Sequence, residues 1–405
     1  MRILYLSQRI PYPPDRGDRI VTFHQIKHLS RQHEIVVGSL GLHSSPADKK
    51  ELVRALGVKV IAPVHARLPR LINTISSLLA GKPLTLGYFY NRALRNSLES
   101  LVNRVVFDVI IIFSSSMAQY VEKMDHIPRI LNFCDVDSQK WLALSERQRG
   151  PMRWIYRREA CTLLKYEQKV AQEFTASCVV TQREADVFHQ FIPGIPVHII
   201  ENGVDIEHFS GFSRRPDGLK LVFVGVMDYS PNIEAVIYFA EQVWPQILKV
   251  HPNASFIIVG SRPVRTVRQL AERQGIEVTG QVPDIRPYLS TATLFIAPLR
   301  VARGVQNKVL EAMAAGLPVL TTPVVAKGLP AGAEDNIFLA EQEPTSWTSA
   351  VLALIANSKS REERAASAKE YVRRFCSWDS KLEKLDSLLE STLCNEPNLG
   401  RKTAV

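Results

Sequence analysis

The sequence predicts an α/β protein made of two doubly wound domains, and three observations carry that reading. Short apolar, β-branched runs alternate with stretches of helical period along almost the whole chain, the pattern of parallel strands joined by crossover helices. A polar stretch at 210–218, SGFSRRPDG, interrupts this alternation once, after which it restarts. At 405 residues the chain is long enough for two domains of ordinary size, each with its own core.

In the first half, strands are expected at 3–7, 34–39, 58–62, 108–113, 129–133, 177–181 and 197–200. Helical patterns fall between them at 18–30, 47–56 and 115–123, with a long one over 138–174. The segment 71–90, LINTISSLLAGKPLTLGYFY, is apolar but broken by Gly81-Lys82-Pro83. It reads as a buried helix pair, with an interfacial hairpin as the alternative. In the second half, strands are expected at 220–224, 255–259, 276–279, 294–297 and 319–321. Helices are expected at 232–250, 264–274, 306–315, 345–356 and 362–375, and a last helix at 378–391 follows once that domain is complete. The expected domains are therefore 1–209 and 210–375, then a crossover segment 376–394 and a disordered tail 395–405.

Composition narrows the function classes. Hydrophobic content of 46% and charged content of 22% are those of a soluble globular protein. The five cysteines are odd in number and scattered, without a CxxC or Cys/His cluster. Neither a disulfide framework nor a zinc site is indicated, which fits a reducing cytoplasm. The first apolar run ends at Leu6, too short for a signal-peptide core, and nothing approaches the ~20 apolar residues of a spanning helix. A soluble or peripheral protein is expected. His24 and His28 share a helix face, but no third ligand accompanies them, so no metal is expected.

Charge is unevenly placed. Residues 1–200 hold 27 Lys and Arg against 17 Asp and Glu, a net of +10, whereas 201–405 hold 23 of each. Part of the excess lies in 147–169, where Arg149, Arg153, Arg157, Arg158 and Lys165 surround Trp154, Ile155 and Tyr156. A basic helix with aromatics suits peripheral contact with an anionic membrane; a solvated helix face is the plainer reading. No nucleic-acid-binding pattern accompanies the charge.

The most informative segment is 303–318, RGVQNKVLEAMAAGLP. It follows a strand and opens a helix whose apolar stripe is Val309, Leu310 and Met313, stopped by Gly316 and Pro318. Arg303, Gly304 and Lys308 then stand at or near a helix N-terminus, where free N–H groups and the helix dipole favour anions. Glu311 follows Lys308 on the same side. Cations for phosphates and a carboxylate for sugar hydroxyls suit a nucleotide diphosphate, although a Lys and a Glu on a first turn are as often solvated. In the first half the matching element is the loop QRIPYPPDRGDR after Ser7, with Gly17 just before a helix that Asp18 can cap. No GxGxxG follows a strand, which disfavours a nicotinamide or flavin enzyme.

Six motifs in this order resemble the GT-B-fold glycosyltransferases of family 4, also called group 1. They are the proline-rich loop with Gly17, ENGVD at 201–205, FVGVMDYSPN at 223–232, IIVGSRP at 257–263, VTGQVPDIRPYL at 278–289, and KVLEAMAAGLPVLTT from Lys308. PYPPDRGDRI, NFCDVDSQKW, GVMDYSPN and RGVQNKVLEAMA further resemble the sugar transferases associated with PEP-CTERM/exosortase systems. The resemblance covers essentially the whole chain. It implies two Rossmann-like domains facing a central cleft, with the helix from Trp378 crossing back onto the first.

The resemblance also implies roles for particular residues. Glu311 matches the second Glu of the family's E-x7-E motif, which holds the donor ribose. The first Glu of that motif is replaced by Arg303. Arg303 then either meets the diphosphate together with Lys308 or faces outward. Relatives carry an Arg and a Lys in the loop after the first strand of the second domain, where Val226 and Asn232 stand here. The backbone around Val282 corresponds to the base site, Gly260 with Ser261-Arg262 to the phosphate site, and Gly17 to the floor beneath the diphosphate or donor sugar. Asn202-Gly203 reads as a structural turn. The expected chemistry is transfer from a nucleotide-diphosphate sugar with retention and without a metal, with preorganised cations at the leaving group supplying most of the transition-state stabilisation. Lys308 and Arg303 are the expected catalytic cations, assisted by Gly304 and nearby amides. Asp135 in the first domain is expected to orient or deprotonate the acceptor hydroxyl, with Asp137 a lesser candidate that can instead cap a helix. The acceptor would be a glycan or lipid-linked saccharide in exopolysaccharide biosynthesis at the cytoplasmic membrane face. A nucleotide-sugar epimerase and a non-catalytic nucleotide-sugar-binding partner are the alternatives.

Overall fold

Two separate parallel sheets organise the chain. The computed structural model describes residues 1–14, 16–42, 45–146, 148–210, 214–302 and 305–394. It divides into one unit comprising Met1–Asn202 and the chain from Lys381, and a second comprising Gly203–Ser380.

The first unit holds β1 (Arg2–Ser7), β2 (Glu34–Ser39), β3 (Lys59–Ile61), β4 (Val109–Phe113), β5 (Arg129–Cys134), β6 (Ala176–Val179) and β7 (Val197–Ile199). Its order is β3-β2-β1-β4-β5-β6-β7, with every pairing parallel. Strands covered on both faces must be apolar throughout. Ile3, Leu4, Tyr5 and Leu6 of β1 are accordingly inaccessible, as are Val109, Ile110 and Ile112 of β4. The helices are α1 (Gly17–Leu29), α2 (Pro46–Leu56), α3 (Arg67–Leu79), α4 (Leu84–Tyr88), α5 (Arg92–Val102), α6 (Asp137–Glu146), α7 (Pro151–Glu173) and α8 (Gln182–Phe191).

The second unit holds β8 (Lys220–Val224), β9 (Ser255–Val259), β10 (Ile276–Gly280), β11 (Leu294–Ala297), β12 (Val319–Thr321) and β13 (Phe338–Leu339), in the order β10-β9-β8-β11-β12-β13. Around this sheet lie α9 (Ile206–Ser210), α10 (Ser230–Tyr238), α11 (Trp244–Val250), α12 (Arg265–Arg268), α13 (Arg286–Thr291), α14 (Asn307–Ala314), α15 (Pro323–Ala326), α16 (Pro344–Ala356) and α17 (Ser358–Phe375). Trp244 and Trp347 are fully buried in its core, with Phe239 against both rings. The last helix, α18 (Trp378–Cys394), groups with the first unit from Lys381 onward. There Lys381 Nζ lies 2.9 Å from Glu201 and Asp386 lies 2.8 Å from His28 Nε2, while Leu382, Leu385 and Leu389 are buried. In each sheet the strand order reverses beside the first strand, at β1/β4 and at β8/β11. Such switch points open binding crevices beyond the strand C-termini.

Several expected elements differ, each for a local reason. The single helix expected over 138–174 is two, because Gly150 adopts φ 64° and Pro151 starts α7 at a position where its missing N–H costs nothing. The helix expected over 232–250 passes through a π-turn at Phe239–Val243, one residue before Trp244-Pro245. That wider turn accommodates a proline that cannot donate to the α ladder. The segment expected at 115–123 is a 3-10 helix at Ser115–Tyr120, and the one at 264–274 is the short α12 followed by a 3-10 turn at Gln269–Glu272. Asp18 does not cap α1. It ion-pairs with Arg9 and Arg16, at 2.5 and 2.9 Å. The segment 71–90 does form a helix pair, but only α4 buries residues (Thr85, Leu86 and Gly87), while α3 buries none. No helix among the described residues is long and apolar enough to cross a membrane.

Candidate functional site

In the second unit the C-terminal ends of β8 and β9 meet on two glycines. The Gly225 N–H donates to the Val259 carbonyl at 3.0 Å, and the Gly260 N–H to the Gly280 carbonyl at 3.2 Å. A Cβ on Gly260 would stand 1.6 Å from the Gly225 carbonyl oxygen, so no other residue fits there. A Cβ on Gly225 would stand 2.8 Å from Asn232 Nδ2 and 3.0 Å from Lys308 Nζ. The glycines therefore let the chain ends beyond β8 and β9 approach closely, with Asn232 and Lys308 packed against Gly225.

Asn232 sits on the first turn of α10, which Pro231 helps to start, and is 4% exposed. Its Nδ2 donates to the Val226 carbonyl at 2.9 Å, and its Oδ1 accepts from Lys308 Nζ at 2.5 Å. Lys308 occupies the second position of α14, a helix seated by buried Val309, Leu310, Ala312 and Met313 and ended by Gly316 at φ 68°. Its ammonium also lies 4.7 Å from the centre of the Phe223 ring. Burial pushes the Lys308 pKa down to about 8, with Glu311 only partly opposing the shift. Glu311, one turn further along α14, is raised by burial, against the opposing pull of Lys308. Among the described residues its carboxylate has no hydrogen-bond or ion-pair partner. Both side chains are half-buried. The site thus keeps a cation and a carboxylate apart and short of partners, which suits a ligand that brings an anion and hydroxyl groups.

The other expected donor-site residues fall as follows. Gly260 is the glycine packed on the Gly225 backbone. Val282 lies just beyond β10, partly buried against the core. Arg262, at φ 55°, ion-pairs with Asp228 at 3.2 Å and stays largely exposed. Arg303 and Gly304 lie outside the described residues. Asn202-Gly203 is followed by a close backbone approach: a Cβ on Gly203 would stand 2.4 Å from the Trp378 Cα.

In the first unit, Gly17 opens α1 with free space around the place a Cβ would occupy. Asp135 and Asp137 follow β5 across Cys134, whose φ of 63° turns the chain sharply. Sequence reasoning passed over Lys140, which binds both: its Nζ is 2.6 Å from Asp135 Oδ2 and 3.0 Å from Asp137 Oδ1. Those carboxylates hold its pKa well above the ordinary lysine range, while burial raises that of Asp137. Behind them Glu167 is inaccessible, and burial raises it to about 8. The Ser115 hydroxyl and the Ser138 N–H reach only one of its oxygens, both at 3.4 Å. The sequence did contain a signal for Lys140, since NFCDVDSQKW places it three residues after Asp137 on one helix face. Glu167 gave none, being one of several acids on a long charged helix. Among the described residues, no group of three or more His, Cys, Asp or Glu is placed to hold a metal ion.

Two parallel doubly wound units of this topology define the GT-B fold, and known structures agree. Residues 218–357 match the family model described as Glycosyl transferases group 1. Sucrose-phosphate synthase from Thermosynechococcus elongatus superimposes with a TM-score of 0.66 at 14% identity, over 98% of this chain and 100% of that one. Anabaena HepE in complex with UDP-glucose gives 0.64 at 14% identity, over 96% and 100%. A glycosyltransferase from Rickettsia africae gives 0.64 at 11% identity, over 98% and 99%. No curated protein matches the sequence.

Proposed function

We propose that this protein is a glycosyltransferase that moves a sugar from a nucleotide-diphosphate donor to a glycan or lipid-linked acceptor. The single observation that carries the reading is the cluster beyond the C-terminal ends of β8 and β9, where the close approach of Gly225 and Gly260 leaves Lys308 and Asn232 side by side. Among the described residues Lys308 has only an amide oxygen and a ring face as partners, and Glu311, one turn away, has no hydrogen-bond or ion-pair partner. The match of 218–357 to the family model supports it, as does the UDP-glucose bound by HepE. The donor would lay its diphosphate on the Lys308 ammonium and the Gly260 backbone, its ribose on Glu311, and its base by Val282. Arg303 and Gly304, which precede α14 in the sequence, would add a second cation and an amide.

In the reaction the bond from the anomeric carbon to the diphosphate oxygen breaks and a bond to the acceptor oxygen forms. The acceptor proton passes to the leaving diphosphate. Lys308 acts by stabilising charge that grows on that leaving group. The family resemblance favours retention, with no metal required. Asp135, already neutralised by Lys140, suits orienting the acceptor hydroxyl better than removing its proton. The PEP-CTERM-type motifs favour an acceptor in exopolysaccharide assembly, handled at the inner face of the cytoplasmic membrane.

The test is a screen of nucleotide sugars by thermal shift, followed by product analysis with the stabilising donor. A donor that stabilises wild type but not Lys308→Ala supports the site. Epimerised donor appearing without acceptor would sink the transferase reading. Tight donor binding with neither hydrolysis nor transfer would favour a non-catalytic binding partner instead.

A further inference from the structure

Helix α3 is built inside out. Leu68, Leu71, Ile72, Ile75, Leu78 and Leu79 recur at the three- and four-residue spacing that puts them on one stripe, and all six are exposed, from 37% to 83%. The side chains turned toward the protein are polar: Arg70, Asn73, Thr74 and Ser77 are the half-buried ones. Asn73 Nδ2 donates to the Tyr90 carbonyl at 3.3 Å, and Arg70 lies 4.7 Å from the Tyr88 ring centre. Gly87 of α4 packs so closely that a Cβ there would stand 2.4 Å from the Asn73 carbonyl oxygen. A helix facing water would show the opposite arrangement.

The charge around that stripe has one sign. Residues 52–98 contain seven Lys and Arg and no Asp or Glu. The start of α7 continues it. Arg158 donates to the Leu78 and Lys82 carbonyls at 3.3 and 3.2 Å, which ties α7 to the end of α3. Trp154, one turn earlier on the same side of α7, is 64% exposed, and Met152 is 43% exposed. Arg153 and Arg157 stand exposed beside them, and no acid occurs from 149 to 158.

We propose that α3, with the first turns of α7, seats the first unit on an anionic bilayer surface. Aliphatic side chains and a tryptophan would enter the acyl boundary, and the surrounding cations would meet the lipid headgroups. A second copy of this chain is a poorer occupant, because a two-fold contact would bring like charges together. The inference locates the membrane side of the reading above, but it needs no sugar-transfer chemistry.

The experiment is co-sedimentation of the full chain with vesicles of mixed phosphatidylglycerol and phosphatidylethanolamine, or of phosphatidylcholine alone, without nucleotide sugar. Wild type is expected to bind the anionic vesicles, more weakly as salt rises, and to leave phosphatidylcholine largely unbound. Leu71→Ser with Ile75→Ser lowers binding by about tenfold or more, and so does Arg153→Glu with Arg157→Glu. These sites are exposed, so unchanged thermal melting confirms that the variants fold. Absence of binding to anionic vesicles overturns the proposal, and so does binding that survives both double substitutions. Loss of wild-type self-association in the serine variant, without vesicle binding, would assign the face to contact between copies instead. Donor turnover with a soluble acceptor reports on the transferase reading separately.

Discussion

Lys308 gives the sharpest test, because its charge is coupled to the ligand it is meant to hold. Burial brings its pKa down to about 8, so at about pH 8.5 only about a quarter of the free protein carries the ammonium. A diphosphate on the nitrogen favours the charged form and returns the pKa toward its ordinary value. Binding of uridine diphosphate at about pH 8.5 should therefore take up about three-quarters of a proton, against about a tenth at pH 7. Calorimetry in buffers of different ionisation enthalpy measures this directly, since the observed heat varies linearly with the buffer and the slope is the proton number. Lys308→Met should abolish the slope and cost transfer about 10²- to 10³-fold, the loss of one leaving-group cation. The same substitution should raise the melting temperature of the free protein. The sign follows from the lowered pKa. The fold pays for the ammonium below about pH 8, and that penalty fades as pH rises toward the ordinary lysine value of 10.5. A binding heat independent of buffer, or a Lys308→Met protein that binds the diphosphate like wild type, would refute the assignment.

Other substitutions separate the remaining parts. Gly260→Ala should lose donor binding and destabilise the second unit by about 3 kcal/mol or more, read by denaturant unfolding, because its Cβ meets the Gly225 carbonyl oxygen. Glu311→Gln should raise unfolding stability slightly at neutral pH, since it removes a carboxylate that burial disfavours, while weakening donor binding by about 1.5–3 kcal/mol in titration. Glu167→Gln should flatten the stability profile on the acid side of neutral. Burial raises the Glu167 pKa from 4.5 to about 8, so its protonated form contributes stability below about pH 4.5 that is lost as pH rises to 8. Melting curves across that range check it; an unchanged slope would mean that Glu167 does not carry the proton.

How much of this was legible in the sequence depended on whether a signal was local. The strands could be read because parallel strands buried on both faces leave uninterrupted apolar runs, such as IIIF in β4 and FIIV in β9. The α14 segment could be read because a strand, a short loop and an amphipathic helix lie next to one another in the chain. Tertiary packing hid the rest. Nothing in Asn232 alone shows that its amide would hold Lys308 from 76 residues away, and the sequence presented it as a departure from relatives. The apolar stripe of α3 was visible, but apolarity does not reveal which way a helix turns. The polar contacts of Asn73 and the approach of Gly87 decide that, and both depend on the neighbouring hairpin.

The two charge clusters are built on opposite plans, and the contrast bears on what each unit can bind. Beyond β5, Lys140 is shared by Asp135 and Asp137 within 3.0 Å, and Glu167 behind them is mostly protonated at neutral pH. Lys140 and its two carboxylates satisfy one another, so an anion entering there would have to displace carboxylates already in place. Beyond β8 and β9, Lys308 has an amide oxygen and a ring face, and among the described residues Glu311 has no hydrogen-bond or ion-pair partner. That cluster keeps its charges unsatisfied at a cost in stability, the usual mark of a site whose missing partner is its ligand. On this contrast a charged phosphate is expected at Lys308, and a neutral hydroxyl at Asp135. A phosphate placed on the first unit would need an anion-binding group that neither Asp135 nor Asp137 can supply.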